Sequence, residues 1–509
     1  MLLSIQSTIL SLFLSCCSVT LALGQQEQDA KQSQSDLLQI ASFEKEKRAE
    51  YYEPSKVQSI YLQISVENQK RMRDALPNCI YVPATFHWRD ISVKNVGVRY
   101  KGSSSANPHQ KHKRSFLIKF SKFEEPQRFL GLERVSFDNG VQFGSLFSEP
   151  IITQILRESG VPSYRCNYAK VYLNEKFIGV YTNVERIDQV FINRHFPGSQ
   201  GGLWKNDEGG PGGNLQFVGD DPNAYKKAFE DKNIFAEKNM PKLVGLIKTL
   251  NSVDKKDFKS FLNSNMDSDE FLRTVAILLL SGAFDQLTGW GPHNFYLHQD
   301  SNDNRWHYLP WDLDVGFCET AFGRVYVLDD WNAAWPIALS GRQNPLLNRI
   351  IEDPVLLSRY RTIAKEILGE HFEPTRLCKI IDDKYALIKK DLAADPFPAK
   401  RATVPDDKNY ESIVASLKSF VRKRYQLASQ QLNSPGQRPL KQQRRQQRNP
   451  AGVHAELQTK AQHVMQLAKK KQRSLQEIDK IMREIGPLIE SGKTAEANKL
   501  LDRALELAK

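Results

Sequence analysis

From Tyr308 to Phe317 the chain reads YLPWDLDVGF, with two carboxylates, Asp312 and Asp314, inside an otherwise apolar run. So apolar a segment belongs in the interior, and a carboxylate carried there is costly unless something pairs with it. Whatever fold forms must give these acids a partner. A spacing of two predicts that both acids share one face of a strand, with Trp311 and Leu313 on the other. A divalent metal suits such a pair. Magnesium takes few protein carboxylates and completes its shell with phosphate oxygens and water. The competing reading is a pair of hydrogen-bonded structural acids at a strand end.

Upstream, the same stretch runs FDQLTGWGPHNFYLHQDSNDNRWH from Phe284. Asp285 follows the apolar helix expected over Thr274–Gly282, near its C-terminal end, where a negative charge opposes the helix dipole. It is either a catalytic or metal-binding carboxylate at a pocket mouth or an Asx-turn residue. Asn294 can offer an amide oxygen to a metal, or serve as a turn residue. An Asp, an Asn and a later Asp are the polar parts that a phosphoryl-transfer site needs. Asp300-Ser301-Asn302-Asp303-Asn304 has the look of a calcium loop but lacks its glycine and distal glutamate, and is read as a hairpin turn.

The chain has 509 residues, 40% hydrophobic and 26% charged, and a net charge of +12. That is enough for one large catalytic domain with appendages. Much of the charge is local: Gln437 to Pro450 holds five basic residues and no acid, and reads as a solvated linker. Nucleic acid is therefore not an expected partner. Residues 1–24 carry no charged side chain and end in Ala22-Leu23-Gly24, the pattern of a cleaved export signal. A lipoprotein signal through Cys16 and an uncleaved anchor are the alternatives. After cleavage no stable membrane span is expected, and the protein would be periplasmic, at the cell surface or extracellular. Cys79, Cys166, Cys318 and Cys378 would remain; none has C-x-x-C spacing, and one or two disulfides are open to them.

The expected domains are the signal (1–24), a disordered or helical leader (25–56), a main domain (57–431), a basic linker (432–452) and a helical tail (453–509). Strands are expected over Ser59–Ser65, Tyr81–Trp88, Val96–Tyr100 and Ser115–Phe120. A hairpin joins Tyr168–Leu173 to Phe177–Val184. Ser148–Ser159, Leu243–Leu250 and Ser268–Leu280 read as helices, as does most of Asn344–Gln431. Gly201–Gly213 reads as a loop. The tail resembles one tetratricopeptide-like hairpin or a coiled-coil stalk, and a lone unit of this kind needs a partner or a second copy to cover its apolar face.

Lys101, Lys111, Lys113 and Arg114 cluster around the strand Ser115–Phe120. A lysine there can neutralise phosphates if a glutamate holds it, and Glu185 is the candidate holder. Lys205, in Gly202-Leu203-Trp204-Lys205, is a further candidate for phosphate or ribose. The competing reading for each basic residue is a solvated face.

In order, Val98-Arg99-Tyr100-Lys101-Gly102, Lys113-Arg114-Ser115-Phe116, Ser159-Gly160-Val161-Pro162, Val171–Tyr181, Val184-Glu185, Leu203-Trp204-Lys205, Asp285 with Asn294–Leu297, and Pro310–Asp314 resemble the CotH family of atypical, spore-coat protein kinases. The resemblance spans roughly Ser59 to Arg424. It implies an α+β, protein-kinase-like fold of two lobes, the first β-rich and the second helical. It also implies ATP, magnesium or manganese, and transfer of phosphate to Ser or Thr of a protein. By position, Lys113 would contact phosphates, with Lys101 and Lys205 as further cofactor contacts, and Glu185 would orient the basic group. Asp285 would be the catalytic carboxylate, and Asp312 would act in catalysis and, with Asn294, hold the metal. Asp314 would be a second metal-side acid. The alternative from a different class is a surface or assembly protein that keeps the fold without the activity.

Overall fold

The structure is a computed structural model. It describes residues 39–102, 105–141, 145–207, 209–335 and 344–435, and in the tail 464, 478, 481–482, 484–485, 488 and 494–508. The expected export signal, residues 25–38 of the leader, Ser103 and Ser104, most of the basic linker and much of the tail lie outside these residues. The chain divides into two units after Asn433.

Helix α1 (39–51) leads into β1 (Val57–Gln63), α2 (Val66–Asp74), β2 (Val82–Trp88), β3 (Ile91–Lys101), β4 (Ser115–Lys119) and β5 (Arg134–Asp138). Helix α3 (Ser148–Glu158) precedes the hairpin of β6 (Cys166–Leu173) and β7 (Lys176–Val184). The seven strands close into a barrel in the order β1-β2-β3-β4-β5-β7-β6. Closure comes from β1, which pairs in parallel with β6, Ile60 facing Val171. Alternation then sends Ile60, Leu62, Phe86, Val98, Ile118, Val135 and Phe137 into one apolar core. Each such buried side chain contributes roughly 1.5–3 kcal/mol. The hairpin turn falls on Asn174 and Glu175, at φ 48° and 68°. Two positive φ values define the tight turn whose twist matches the strands.

After α4 (Gln189–His195) come β8 (Leu203–Asn206), β9 (Glu230–Asp231), α5 (Ala236–Ser252), α6 (Phe258–Asn265), α7 (Ser268–Ser281), β10 (Phe295–Gln299) and β11 (Trp306–Pro310). Helices α8 (Val327–Asp330), α9 (Pro345–Glu352), α10 (Pro354–His371), α11 (Pro374–Ala393) and α12 (Tyr410–Asn433) complete the lobe. The two-lobed α+β arrangement expected from the sequence is the one observed. Helix α7 is its axis, buried from Val275 through Ser281. Asp267 caps its start by accepting from Glu270 N, and Gly282 ends it at φ 67°. A Cβ at Gly282 would lie 2.5 Å from Val327, so both conformation and space require glycine.

The expected loop Gly201–Gly213 contains β8, the third strand of a sheet ordered β11-β10-β8-β9. Glycines flank Leu203–Asn206 on both sides and hide a strand only four residues long. Cys79, Cys166, Cys318 and Cys378 are all free thiols, so no disulfide forms among them. No helix among the described residues is long and apolar enough to cross a membrane. In the second unit, helix α13 (Thr494–Ala508) contributes Ala497, Leu501 and Ala504 to a small apolar cluster with Val464, Ile478, Ile481 and Ile485.

Candidate functional site

A cavity of about 610 Å³ opens between the end of the barrel and the β8–β11 sheet. Of the residues singled out above, Lys101, Lys205, Asp285, Asn294, Asp312 and Asp314 line it. Lys113 and Glu185 do not.

Lys101 closes β3, and its Nζ donates to Asp138 Oδ1 (2.5 Å) and Ser136 Oγ (3.0 Å) at the end of β5. Lys205 arrives on β8, whose register sets it opposite Tyr296. Its ammonium meets Asp207 at 2.7 Å, and burial lowers its pKa. Asp285 stands four residues beyond α7. It accepts from His293 Nε2 (2.8 Å) and Asn294 Nδ2 (3.3 Å), and its carbonyl also takes Asn294 Nδ2 at 3.0 Å.

Asp312 and Asp314 depart from the strand geometry expected of them. β11 stops at Pro310, and both acids lie in the turn that follows. Asp312 is left-handed, at φ 58°, and this breaks the period of two. The turn is held from several sides. Trp311 N donates to Asn294 O (2.9 Å), Gln286 Nε2 to Trp311 O (2.8 Å) and Phe317 N to Ser281 O (2.8 Å). Arg401, fully buried, donates to Gly316 O and Phe317 O. The two carboxylates themselves have no hydrogen-bond or ion-pair partner among the described residues. Burial raises the proton affinity of Asp312, and raises that of Asp314 further through the charge of Asp312.

One residue of this cluster went unread in the sequence. Glu149, in the first turn of α3, is buried and accepts from Tyr164 Oη at 2.7 Å. Burial first, and then Asp138 and Asp312, push its pKa up to about 8. Its signal was an acid beside a proline at the head of an apolar helix, which also describes an ordinary first turn. Nearby lysines offset these acids only in part, no cation is bonded to Asp312, Asp314 or Glu149 among the described residues, and the donor set of carboxylates and an amide oxygen suits a hard divalent cation such as magnesium.

The placement of Lys113 corrects the sequence expectation. Its Nζ is bonded to Asp395 Oδ2 and Val180 O, each at 2.7 Å, and both side chains of the ion pair are fully buried. An ammonium so enclosed is committed to the scaffold. Glu185 likewise holds no lysine. It binds Arg165 (2.6 Å) and Arg194 (2.5 Å), which outweigh its burial and keep its pKa low. Asp300–Asn304 forms the turn between β10 and β11, away from the cavity lining.

The sequence comparison settles the family. A family model described as CotH kinase protein matches residues 98–428, more than half of the chain. The chain belongs to the CotH family. A curated CotH relative, the inner spore coat protein H of Bacillus subtilis (strain 168), is 22% identical over 306 residues, covering 60% of this chain and 79% of the relative. Among solved structures, the Helicobacter pylori proinflammatory kinase CtkA is similar at 12% identity and a TM-score of 0.27, over 67% of this chain and 94% of that one. So distant a likeness assigns no roles to CotH residues here.

The Asp285–His293 pair has a measurable consequence. Hydrogen bonding to Asp285 raises the His293 pKa above its ordinary value. A raised histidine stabilises the fold fully below about pH 6.5, and that contribution is lost as pH climbs through the raised value. Asp285→Asn keeps a hydrogen-bonding group but removes the charge. The melting temperature of wild type relative to this variant is expected to be higher at pH 6 than at pH 9.

Proposed function

We propose that this CotH-family chain is an exported protein kinase that moves phosphate from ATP to Ser or Thr of a protein. One observation carries the reading: a single cavity holds partnerless acids, Asp312 and Asp314, together with the cations Lys101, Lys205 and Arg186. An occupant bearing both a divalent cation and several negative charges matches that arrangement, and a metal-bound nucleoside triphosphate is such a molecule.

In this reading Asp312 and Asn294 hold magnesium or manganese, with Asp314 beside them. When bound, the metal neutralises charge on the phosphate oxygens. Lys101 from β3 and Lys205 from β8 do the same. The glutamate facing Lys101 is Glu149, whose charge Lys101 already offsets in part. Asp285 accepts or orients the hydroxyl of the acceptor, and His293 and Asn294 fix its carboxylate. Phosphoryl transfer asks for positioning and charge neutralisation rather than covalent chemistry, so these residues suffice. The Bacillus relative is named a spore coat protein. That name, with the uncharged first 24 residues, supports an exported location for this chain. The helical tail is proposed to associate with a partner or a second copy.

Melting temperature tests the site without needing the acceptor. A ligand that binds only the folded state at a hundred times its Kd stabilises by about 2.7 kcal/mol. Magnesium with ATP should raise the melting temperature by several degrees, and EDTA should abolish the rise. Absence of any rise at saturating nucleotide would favour the non-catalytic surface or assembly protein. A rise with calcium alone would point to a calcium-dependent adhesin.

A further inference from the structure

Arg186 follows β7 and lines the cavity. Its guanidinium lies over the ring of Trp311, 4.6 Å from the centroid, immediately before Asp312. It makes no hydrogen bond or ion pair with any described residue. Lys205 approaches the same ring at 5.7 Å. Two cations thus share one indole; burial first, and then Arg186, depress the Lys205 pKa, while Tyr296 and the acids Asp138, Asp188 and Asp207 outweigh burial and raise that of Arg186. Asp207 is bonded to Lys205 and not to Arg186, and its side chain is 49% exposed. Arg186 has no bonded carboxylate and that of Lys205 is half exposed, so an anion in the cavity can meet both cations.

We propose that Arg186 is a substrate-contacting residue that binds a phosphoryl group of the nucleotide, with Trp311 as its positioning residue. This rests on the kinase reading above. The contact with Trp311 holds the guanidinium at the cavity wall, and its planar fork of N–H donors matches a phosphate. Because Trp311 adjoins Asp312 in the chain, the same turn sets the distance between the phosphate-binding cation and the metal-binding acid. Lys205 completes the anion site from β8.

The test is direct binding of ATP, ADP and adenosine, each with magnesium, to the full chain and to Arg186→Gln and Arg186→Lys, measured by calorimetry. Melting temperature without ligand checks that each variant is folded. Arg186→Gln should bind ATP at least about tenfold more weakly, the worth of a charge-assisted hydrogen bond. Its adenosine affinity should be unchanged, and Arg186→Lys should recover part of the loss. Wild-type ATP affinity in Arg186→Gln overturns the proposal. So does an equal loss for adenosine and ATP, which would make Arg186 a stacking platform for the base. If the wild-type chain binds no nucleotide, the kinase reading fails and this contact fails with it.

Discussion

Asp312→Ala is expected to reduce ATP-dependent phosphate transfer by on the order of 10³ or more, while the melting temperature of the metal-free protein holds or rises. Both halves follow from the surroundings of this side chain. Burial and the neighbouring Asp138 raise its proton affinity, only partly offset by Lys101 and Lys205. A carboxyl raised in the folded state penalises folding as pH climbs from the ordinary carboxylate range through the raised value. At neutral pH the alanine protein is therefore relieved of an anion that only a metal would compensate. The backbone complicates the comparison, because φ is 58° and Asp tolerates this region better than Ala. Asp312→Asn separates the effects, since Asn accepts the same backbone and lacks the charge. Label transfer from ATP to a secreted-protein extract reads the first half, and thermal unfolding in EDTA reads the second. Wild-type transfer by the Asn variant would remove Asp312 from the metal site.

The second large effect lies away from the cavity. Asp395→Ala leaves the Lys113 ammonium buried without its carboxylate, and is expected to destabilise the fold by about 3–5 kcal/mol. Asp395 also accepts from Val180 N and Phe397 N, each at 3.0 Å, so it joins β7 to the segment after α11. Lys113→Met should be destabilising too, and combining it with Asp395→Asn should recover part of the loss, because neither partner then carries an unpaired charge. Urea unfolding measures all three. ATP affinity, measured where each variant is still folded, should match wild type. A Lys113→Met protein of normal stability with no ATP binding would return Lys113 to the phosphate site.

The contrast between Lys113 and Lys101 marks what the sequence could disclose. Both precede or close a strand in a basic cluster, and twelve positions separate them in the numbering. Which one faces the cavity depends on Asp395, 282 residues from Lys113. No local pattern encodes a partner that remote. The acids of Asp285–Asp314 were legible because their apolar flanks made them costly anywhere but at a cation site. Their strand was misread because a left-handed residue at Asp312 leaves no mark in the polarity pattern. Glu149 was hidden for a related reason: its importance comes from Asp138 and Asp312, which arrive from β5 and the turn after β11. The barrel's strands showed their alternation except β5, only five residues long, and in the other sheet the four-residue β8 was hidden among glycines.

The parallel pairing of β1 with β6 has a practical consequence for where this protein can be cut. The family match begins at residue 98, inside β3. A fragment starting there would lack β1 and β2, and β6 would lose the neighbour that covers one row of its backbone groups. An uncovered strand of this kind is a template for pairing with other chains. The smallest soluble piece carrying the cavity should therefore begin no later than Val57, some forty residues before the family signature does.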